Sequence, residues 1–131
     1  MKLFVCGDNR SGQCGARVKR KDVDDFDDDS IATFQEMILD TSSSDVHYVS
    51  KIAMSQKQTF LVLRNGTLLT CGENDNGELA RNGKRSMLKR VDALETFDLT
   101  DAALGEGVFM TLTKDGRMIS WGRNEVVCMH I

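Results

Sequence analysis

Cysteine and histidine are the residues of this chain best suited to hold a transition metal. The histidines are His47 and His130, and cysteines stand at positions 6, 14, 71 and 128. Zinc sites take these residues in closely spaced pairs such as Cys-x-x-Cys. No such pair occurs, and neither histidine lies at a ligand spacing from a cysteine. The sequence therefore predicts no metal site and no cofactor.

A run of aspartates offers a second candidate for metal binding, since carboxylates at EF-hand spacing bind calcium. The first, third, fifth and twelfth places of such a loop are filled by Asp25, Asp27, Asp29 and Glu36. The sixth place, where the loop turns sharply on a glycine, is Ser30, and no amphipathic helix leads into the run. We therefore do not expect calcium to bind here.

The same aspartates belong to a charged segment over residues 17–29. Four basic residues at 17–21 precede six aspartates at 22–29. The simplest interpretation is a solvated insertion between strands. The alternative hypothesis is a docking loop for a charged partner, formed by Arg20, Lys21, Asp24, Asp25 and Asp27. The basic half is short and neutralised by the acidic half, so it does not indicate DNA binding.

Enzymatic motifs are absent from the sequence, which has no nucleophile elbow, no phosphate-binding glycine loop and no dinucleotide fingerprint. We therefore predict that the protein is not an enzyme and has no catalytic residue. The 131 residues carry 17 basic and 20 acidic side chains, and a net charge of −3 gives no general attraction to nucleic acids or anionic membranes. No apolar run approaches the ~18 residues of a membrane span, and the start lacks a signal-peptide core. We expect a cytoplasmic or nuclear protein.

An internal repeat organises the elements that carry these residues. Three segments share an apolar run, a glycine and, two residues later, an asparagine, with the glycines 65 and 50 residues apart. The first interval is fifteen residues longer and contains the charged segment 17–29. Recurrence of one segment at a spacing of about 50 residues is typical of repeat architectures. The residues that define the repeat are Gly7, Asn9, Gly12, Gly66, Gly72, Asn74, Gly77, Gly116, Trp121, Gly122 and Asn124.

Matching hairpins precede the second and third glycines. Asn65-Gly66 and Asp115-Gly116 lie between apolar runs, a pattern that predicts a hairpin with a type I′ turn. Each full unit is then a small antiparallel sheet, and short strands at a period of about 50 residues indicate propeller blades. Residues 30–40 fit either a short helix or a strand.

These residues resemble the repeat of the regulator of chromosome condensation family. The matching positions are Gly105, Asp115-Gly116, Trp121-Gly122-Arg123-Asn124 and Gly12-Gln13-Cys14-Gly15, and the resemblance covers roughly residues 1–20 and 48–129. The resemblance implies a propeller fold, which in this family has seven blades. It also implies either nucleotide exchange on small GTPases of the Ran type or protein binding without exchange.

The length limits how much of a propeller this chain can build. At about 50 residues per unit it supplies about two and a half units, whereas a closed ring needs at least ~4 blades. We predict an all-β fold, an open partial β-propeller of about two and a half antiparallel blades, as one domain over residues 1–131. The clearest repeats are 52–80 and 102–129. Open blade edges favour self-association.

The predicted function is a protein-binding module that recognises or regulates a small GTPase. Two alternatives stay open: a fragment of a guanine-nucleotide exchange factor, and a truncated or alternatively spliced product without independent function. Neither nucleic acid nor membrane is expected as a partner.

The alignment of the repeats also predicts the environment of the cysteines. Cys6 and Cys71 align with Trp121, and Cys14 aligns with Leu79. Because they replace apolar residues, we expect them to be buried free thiols.

Overall fold

The strands of this protein form three small sheets in the part of the chain that the structure covers. The structure, a computed structural model, describes residues 2–16, 30–37, 39–40 and 48–123. The elements in these ranges are β1 (Phe4–Gly7), β2 (Ile31–Glu36), β3 (Leu39–Asp40), β4 (Val49–Met54), β5 (Gln58–Leu63), β6 (Leu68–Gly72), β7 (Leu88–Arg90), a 3-10 helix (Asp92–Leu94), β8 (Leu99–Leu104), β9 (Val108–Thr113) and β10 (Met118–Gly122). The predicted all-β class is confirmed.

The three sheets correspond to the three repeats. Blade 1 is the antiparallel pair β1–β2, blade 2 contains β4–β7, and blade 3 contains β8–β10 in the order β10-β9-β8. Residues 31–36, which the sequence left undecided, therefore form a strand. One pairing differs from the antiparallel prediction: β3 pairs in parallel with β7. Strand β3 directly follows β2 of blade 1 in the element order. It therefore comes to the edge of the blade 2 sheet from blade 1, and no hairpin connects it to β7.

Each blade has two faces, which we name by their neighbours. The front face is turned towards the preceding blade and the back face towards the following one. Side chains alternate between the faces along each strand. On blade 2, the front face includes Leu61, Leu69 and Cys71, and the back face includes Phe60, Val62 and Leu68.

Blade 2 lies between two neighbours, and its burial shows this. All six residues of β5 and all five of β6 are buried, as expected for strands covered on both faces. In β9 of blade 3, Phe109, Thr111 and Thr113 are buried whereas Met110 and Leu112 are exposed. Blade 3 is therefore covered on its front face only, among the residues that the structure describes.

The largest cluster of buried apolar side chains fills the junction between blades 2 and 3. Three aromatic rings lie at its centre, with centroid separations of 5.5 Å between Phe60 and Phe109 and 5.8 Å between Phe60 and Trp121. Both pairs are stacked, an arrangement that adds to the energy of burial alone. This packing fixes the orientation of blade 3 on blade 2.

The two predicted hairpins form, but their turns are not of type I′. That turn needs positive φ at both central residues, and Ala80 is the single non-glycine residue with positive φ among those described. The Gly66 N–H donates to the Leu63 carbonyl, and the Leu63 N–H donates to the Thr67 carbonyl. These bonds define a three-residue loop in which a type I turn precedes a left-handed glycine. The asparagine can therefore keep negative φ, because Gly66 alone adopts the left-handed conformation.

The helical content of the described residues is confined to the short 3-10 segment Asp92–Leu94. No helix in the described part of the chain reaches the length and apolar character of a membrane span.

Candidate functional site

The loops after the first two Gly-x-Asn segments are each held by the asparagine side chain. Asn74 Oδ1 accepts a 2.9 Å hydrogen bond from the Leu79 N–H, and its Nδ2 donates to the Arg81 carbonyl at 2.9 Å. In blade 1, Asn9 Oδ1 accepts from the Cys14 N–H at 2.9 Å. The asparagine thus occupies backbone groups that the loop itself leaves unpaired. Both loops have the same structure because the same residue type stands at the same place.

Four residues after the asparagine, a second side chain of the loop forms a hydrogen bond with the backbone of the same loop. Glu78 Oε2 accepts from the Asn76 N–H at 2.8 Å, and Glu78 Oε1 accepts from the Asn76 side chain at 2.9 Å. Gln13 of blade 1 accepts the equivalent bond from the Ser11 N–H at 2.9 Å. Burial acts to raise the pKa of Glu78, but the hydrogen bonds from Asn76 and from its own backbone, together with the charge of Arg123, outweigh burial and lower the pKa.

The same two loops join the blades to one another. The Trp121 indole N–H donates to the Glu78 carbonyl at 2.8 Å. One repeat earlier, the Cys71 Sγ lies 3.3 Å from the Gln13 carbonyl in a hydrogen-bonding arrangement, and Thr59 Oγ1 donates to that carbonyl at 2.7 Å. The junctions between blades 1 and 2 and between blades 2 and 3 therefore use equivalent positions with different side chains.

The burial of the cysteines depends on these junctions. Cys14 and Cys71 are buried free thiols, as predicted, and burial raises the pKa of both, that of Cys71 to about 12. Cys6 is exposed, so the prediction for it is wrong. Cys71 is buried because blade 1 covers the front face of blade 2, whereas no described residues form a blade in front of blade 1.

The three aligned glycines also differ between blade 1 and the other two blades, in the space around each Cα. Gly7, Gly72 and Gly122 all adopt positive φ, at 118°, 118° and 131°. A Cβ at Gly72 would lie 2.0 Å from the Lys57 carbonyl oxygen, and a Cβ at Gly122 would lie 2.2 Å from that of Gly107. A Cβ at Gly7 would meet nothing within 4 Å. Positions 72 and 122 therefore need glycine for space and conformation, and position 7 for conformation alone.

The remaining repeat residues stand in turns. Gly12 and Gly77 adopt φ of 78° and 80° in the loops after Asn9 and Asn74, and Gly66 and Gly116 adopt 81° and 86° at the hairpin tips. Asn124 and the hypothetical docking loop of Arg20, Lys21, Asp24, Asp25 and Asp27 lie outside the described residues, as do both histidines. Within the described ranges, no group of three or more His, Cys, Asp or Glu residues is placed to hold a metal ion.

A cavity of about 420 Å³ opens where the turns of blades 2 and 3 meet. Two turns at equivalent places in their repeats, residues 55–58 and 105–107, form its rim. Charged side chains from both blades line it: Lys57, Glu73, Glu78, Glu106 and Arg123. The sequence does not predict this cavity, because its two turns lie about fifty residues apart. The signal that could indicate it is that the two turns occupy matching positions of their repeats.

The charges in the cavity are partly paired. Lys57 Nζ lies 2.8 Å from Glu73 Oε1. Arg123 packs its side-chain carbons over Gly107, and the backbone N–H of Arg123 donates to the Gly107 carbonyl at 2.9 Å. Among the described lining residues, Ser55 carries the single hydroxyl, which donates to Gln58 Oε1. The arrangement therefore suits recognition of a mixed-charge surface and offers no activated nucleophile.

Comparison with curated proteins gives relatives that match about half of the chain. The human E3 ubiquitin-protein ligase HERC2 is 33% identical over 70 residues, which are 52% of this chain and 1% of HERC2. The human probable E3 ubiquitin-protein ligase HERC6 is 29% identical over 72 residues, which are 53% of this chain and 7% of HERC6. The chain thus spans a small fraction of either relative. No family model matches the sequence.

Solved structures match nearly the whole chain. Human WBSCR16 and yeast RCC1 (Prp20) in complex with Kap60 both superpose with a TM-score of 0.72 at 20% identity. The matches cover 93% and 92% of this chain, and 29% and 28% of those chains. A further Prp20p structure from Saccharomyces cerevisiae gives 0.67 at 19% identity, covering 95% and 30%. The chain therefore has the fold of the regulator of chromosome condensation repeat, assembled as an open, partial β-propeller.

Proposed function

We propose that this protein is a protein-binding module whose partner contacts the cavity between blades 2 and 3. The observation that carries the proposal is the charged lining, in which Lys57 and Arg123 lie in one cleft with Glu73, Glu78 and Glu106. Such a cleft recognises a protein surface through complementary charge, which favours specificity and the rate of association.

We propose a small GTPase as the partner. The support is the sequence resemblance, together with the fold shared with Prp20p, whose structure was reported with binding properties to Gsp1p and histones. Binding without nucleotide exchange is the favoured activity, because the described residues form one complete blade flanked by two partial ones. An exchange factor reshapes its partner's nucleotide site, which calls for a wider surface.

Further parts of the proposal concern the whole chain. We propose that residues 1–131 act as one domain in the cytoplasm or nucleus, with residues 17–29 as a charged insertion. The acidic and basic halves of that insertion offer a second docking element, which lies outside the described residues.

The test is direct binding between the full chain and purified Ran-type GTPases by calorimetry. Reversing one cavity charge, Arg123→Glu, is expected to weaken binding at least tenfold. Lys84→Glu is the matched control, because Lys84 is an exposed basic residue of blade 2 that does not line the cavity. Absence of binding, or equal loss in both variants, would contradict the proposed site.

Nucleotide exchange is measured in the same preparation. Stopped-flow release of a fluorescent guanine nucleotide from the GTPase is expected to proceed at its intrinsic rate when the protein is added. Accelerated release would favour the exchange-factor alternative over simple binding.

A further inference from the structure

The stack of blades ends on an uncovered apolar face at blade 3. Met110 is 38% and Leu112 is 42% exposed on its back face. Met118 pairs directly with Leu112, and Ser120 pairs with Met110, so all four side chains share that face. No blade in the described part of the chain lies against Met110 and Leu112 on this face.

At the other end of the stack, the described residues also leave blade 1 with an open face. Phe4 is 58% and Phe34 is 74% exposed. Phe4 lies directly opposite Glu36, two residues from Phe34, so both aromatic rings stand on the front face of blade 1. Cys6, two residues after Phe4, is exposed on the same face.

The junction between blades 2 and 3 shows how an equivalent back face is covered within the chain. Met110, Leu112 and Met118 stand fifty residues after Phe60, Val62 and Leu68, each of which is at most 1% exposed. Blade 3 covers those three residues with the front-face rings of Phe109 and Trp121. The open back face of blade 3 is therefore one half of a junction that the chain already forms once.

The open front face of blade 1 is the complementary half. By repeat position, Phe4 corresponds to Leu69 and Cys6 to Cys71, and both of these are buried against blade 1. If a second copy is placed so that equivalent repeat positions meet, its Cys6 lies over Met110 of the first copy, as Trp121 lies over Phe60 within the chain.

We propose that two copies of this chain associate head to tail, with the front face of blade 1 of one copy on the back face of blade 3 of the other. This self-association goes beyond the proposed partner binding and uses other residues. The contact joins two different surfaces, so each copy keeps one free face, and further copies extend the assembly into a ring or a filament.

The structure also sets how strong the contact is. Within the chain, β4 of blade 2 packs against β8 of blade 3. Blade 1 presents only β1 and β2 among the described residues, so the junction between copies lacks an equivalent of the β4–β8 contact. The association is therefore weaker than the junction within the chain and depends on protein concentration.

Sedimentation velocity over a concentration series tests the association in the full chain. The unmodified protein is expected to shift from monomer to larger species as its concentration rises. Leu112→Asp and Phe34→Asp are each expected to remain monomeric, because each blocks one face. Ile52→Asp, at an apolar residue that is 52% exposed outside both faces, is the matched control and leaves the assembly unchanged.

Mixing the two blocked variants tests the head-to-tail arrangement itself. Leu112→Asp retains an open front face and Phe34→Asp an open back face, so the mixture is expected to form a dimer that does not extend. A mixture that stays monomeric overturns the proposal, and so does a variant that dimerises alone. Circular dichroism of each variant verifies that it is folded.

Cross-linking tests the contact in a chain with both faces intact. In a Cys128→Ser background, Met110→Cys treated with diamide is expected to give disulfide-linked dimers and longer ladders through Cys6. Cys6→Ser abolishes the ladder, and a cysteine introduced by Lys84→Cys gives none. A monomeric Met110→Cys protein under oxidation, or an unmodified chain that stays monomeric at every concentration, overturns the proposal. Neither result bears on GTPase binding at the cavity.

Discussion

Trp121 of blade 3 donates its indole N–H to the backbone carbonyl of Glu78 in blade 2, across a distance of 2.8 Å. Its ring lies in the stacked aromatic group of the junction. One side chain therefore joins the polar loop of one repeat and the apolar core between two repeats. In a repeat protein, stability depends on such contacts between neighbours.

Replacing Trp121 with alanine is expected to lower the free energy of unfolding by about 2–3 kcal/mol, since it removes ring packing and a hydrogen bond from a partly exposed position. Leu112→Ala is the matched control in the same sheet, because Leu112 is 42% exposed on the opposite face; its cost is expected to stay below about 1 kcal/mol. Urea denaturation followed by circular dichroism measures both. Equal costs would show that the junction does not contribute as described. A non-cooperative transition of the unmodified chain would favour the truncated-product alternative.

The aligned glycines give a second prediction. Gly72→Ala brings a Cβ to 2.0 Å from the Lys57 carbonyl oxygen, so the backbone must move; the expected loss is about 4 kcal/mol or more. Gly7→Ala meets no neighbour and incurs only the conformational strain of about 1–3 kcal/mol. The midpoints of chemical denaturation compare the two. A Gly7 variant as unstable as the Gly72 variant would indicate that blade 1 is covered in solution.

The loop asparagine supports a third prediction. Asn74→Ala leaves the N–H of buried Leu79 and the Arg81 carbonyl without their partner, so the expected loss is about 2–3 kcal/mol. Asn82→Ala is the control: Asn82 is exposed, and its hydrogen bond from Arg81 uses its backbone carbonyl, so a loss below about 0.5 kcal/mol is expected. Thermal and urea unfolding measure both variants, and similar losses would refute the role assigned to Asn74.

The sequence predicted what depends on residue type and local spacing. The hairpins that end at Gly72 and Gly122 were predicted because each carries a glycine turn between apolar strands. The burial of Cys6 was mispredicted, because burial depends on a neighbouring blade and not on the strand itself. The turn type was missed because loop length, which a single Asn-Gly pair does not fix, decides whether Asn65 needs positive φ. The cavity was missed because Lys57 and Arg123 meet only after two blades stack.

Thiol reactivity provides a fourth prediction. At pH 8 in the folded protein, Cys6 is expected to react readily with iodoacetamide because it is exposed. Burial raises the pKa of Cys71 to about 12, so this thiol stays protonated and is expected to remain unmodified. Peptide mapping by mass spectrometry resolves the sites, with urea-unfolded protein as the control in which both react. Modification of Cys71 at the rate of Cys6 would contradict the buried junction.

Glu78 supports a prediction for acid stability. Its pKa is lower in the folded protein than its ordinary value of 4.5, because the hydrogen bonds from Asn76 and from its own backbone, together with the charge of Arg123, outweigh the effect of burial. A carboxyl with a depressed pKa stabilises the fold above its unfolded pKa, and this contribution is lost as the pH falls through the folded pKa. The stability advantage of the unmodified protein over Glu78→Gln is therefore expected to be full at pH 7 and to shrink below about pH 4.5. Urea unfolding of both proteins at a series of pH values measures this difference, which cancels the titration of the other carboxyls. A difference that stays constant down to pH 3 would show that the Glu78 carboxylate does not stabilise its loop through charge, and that Gln13 and Glu78 are interchangeable at this position of the repeat.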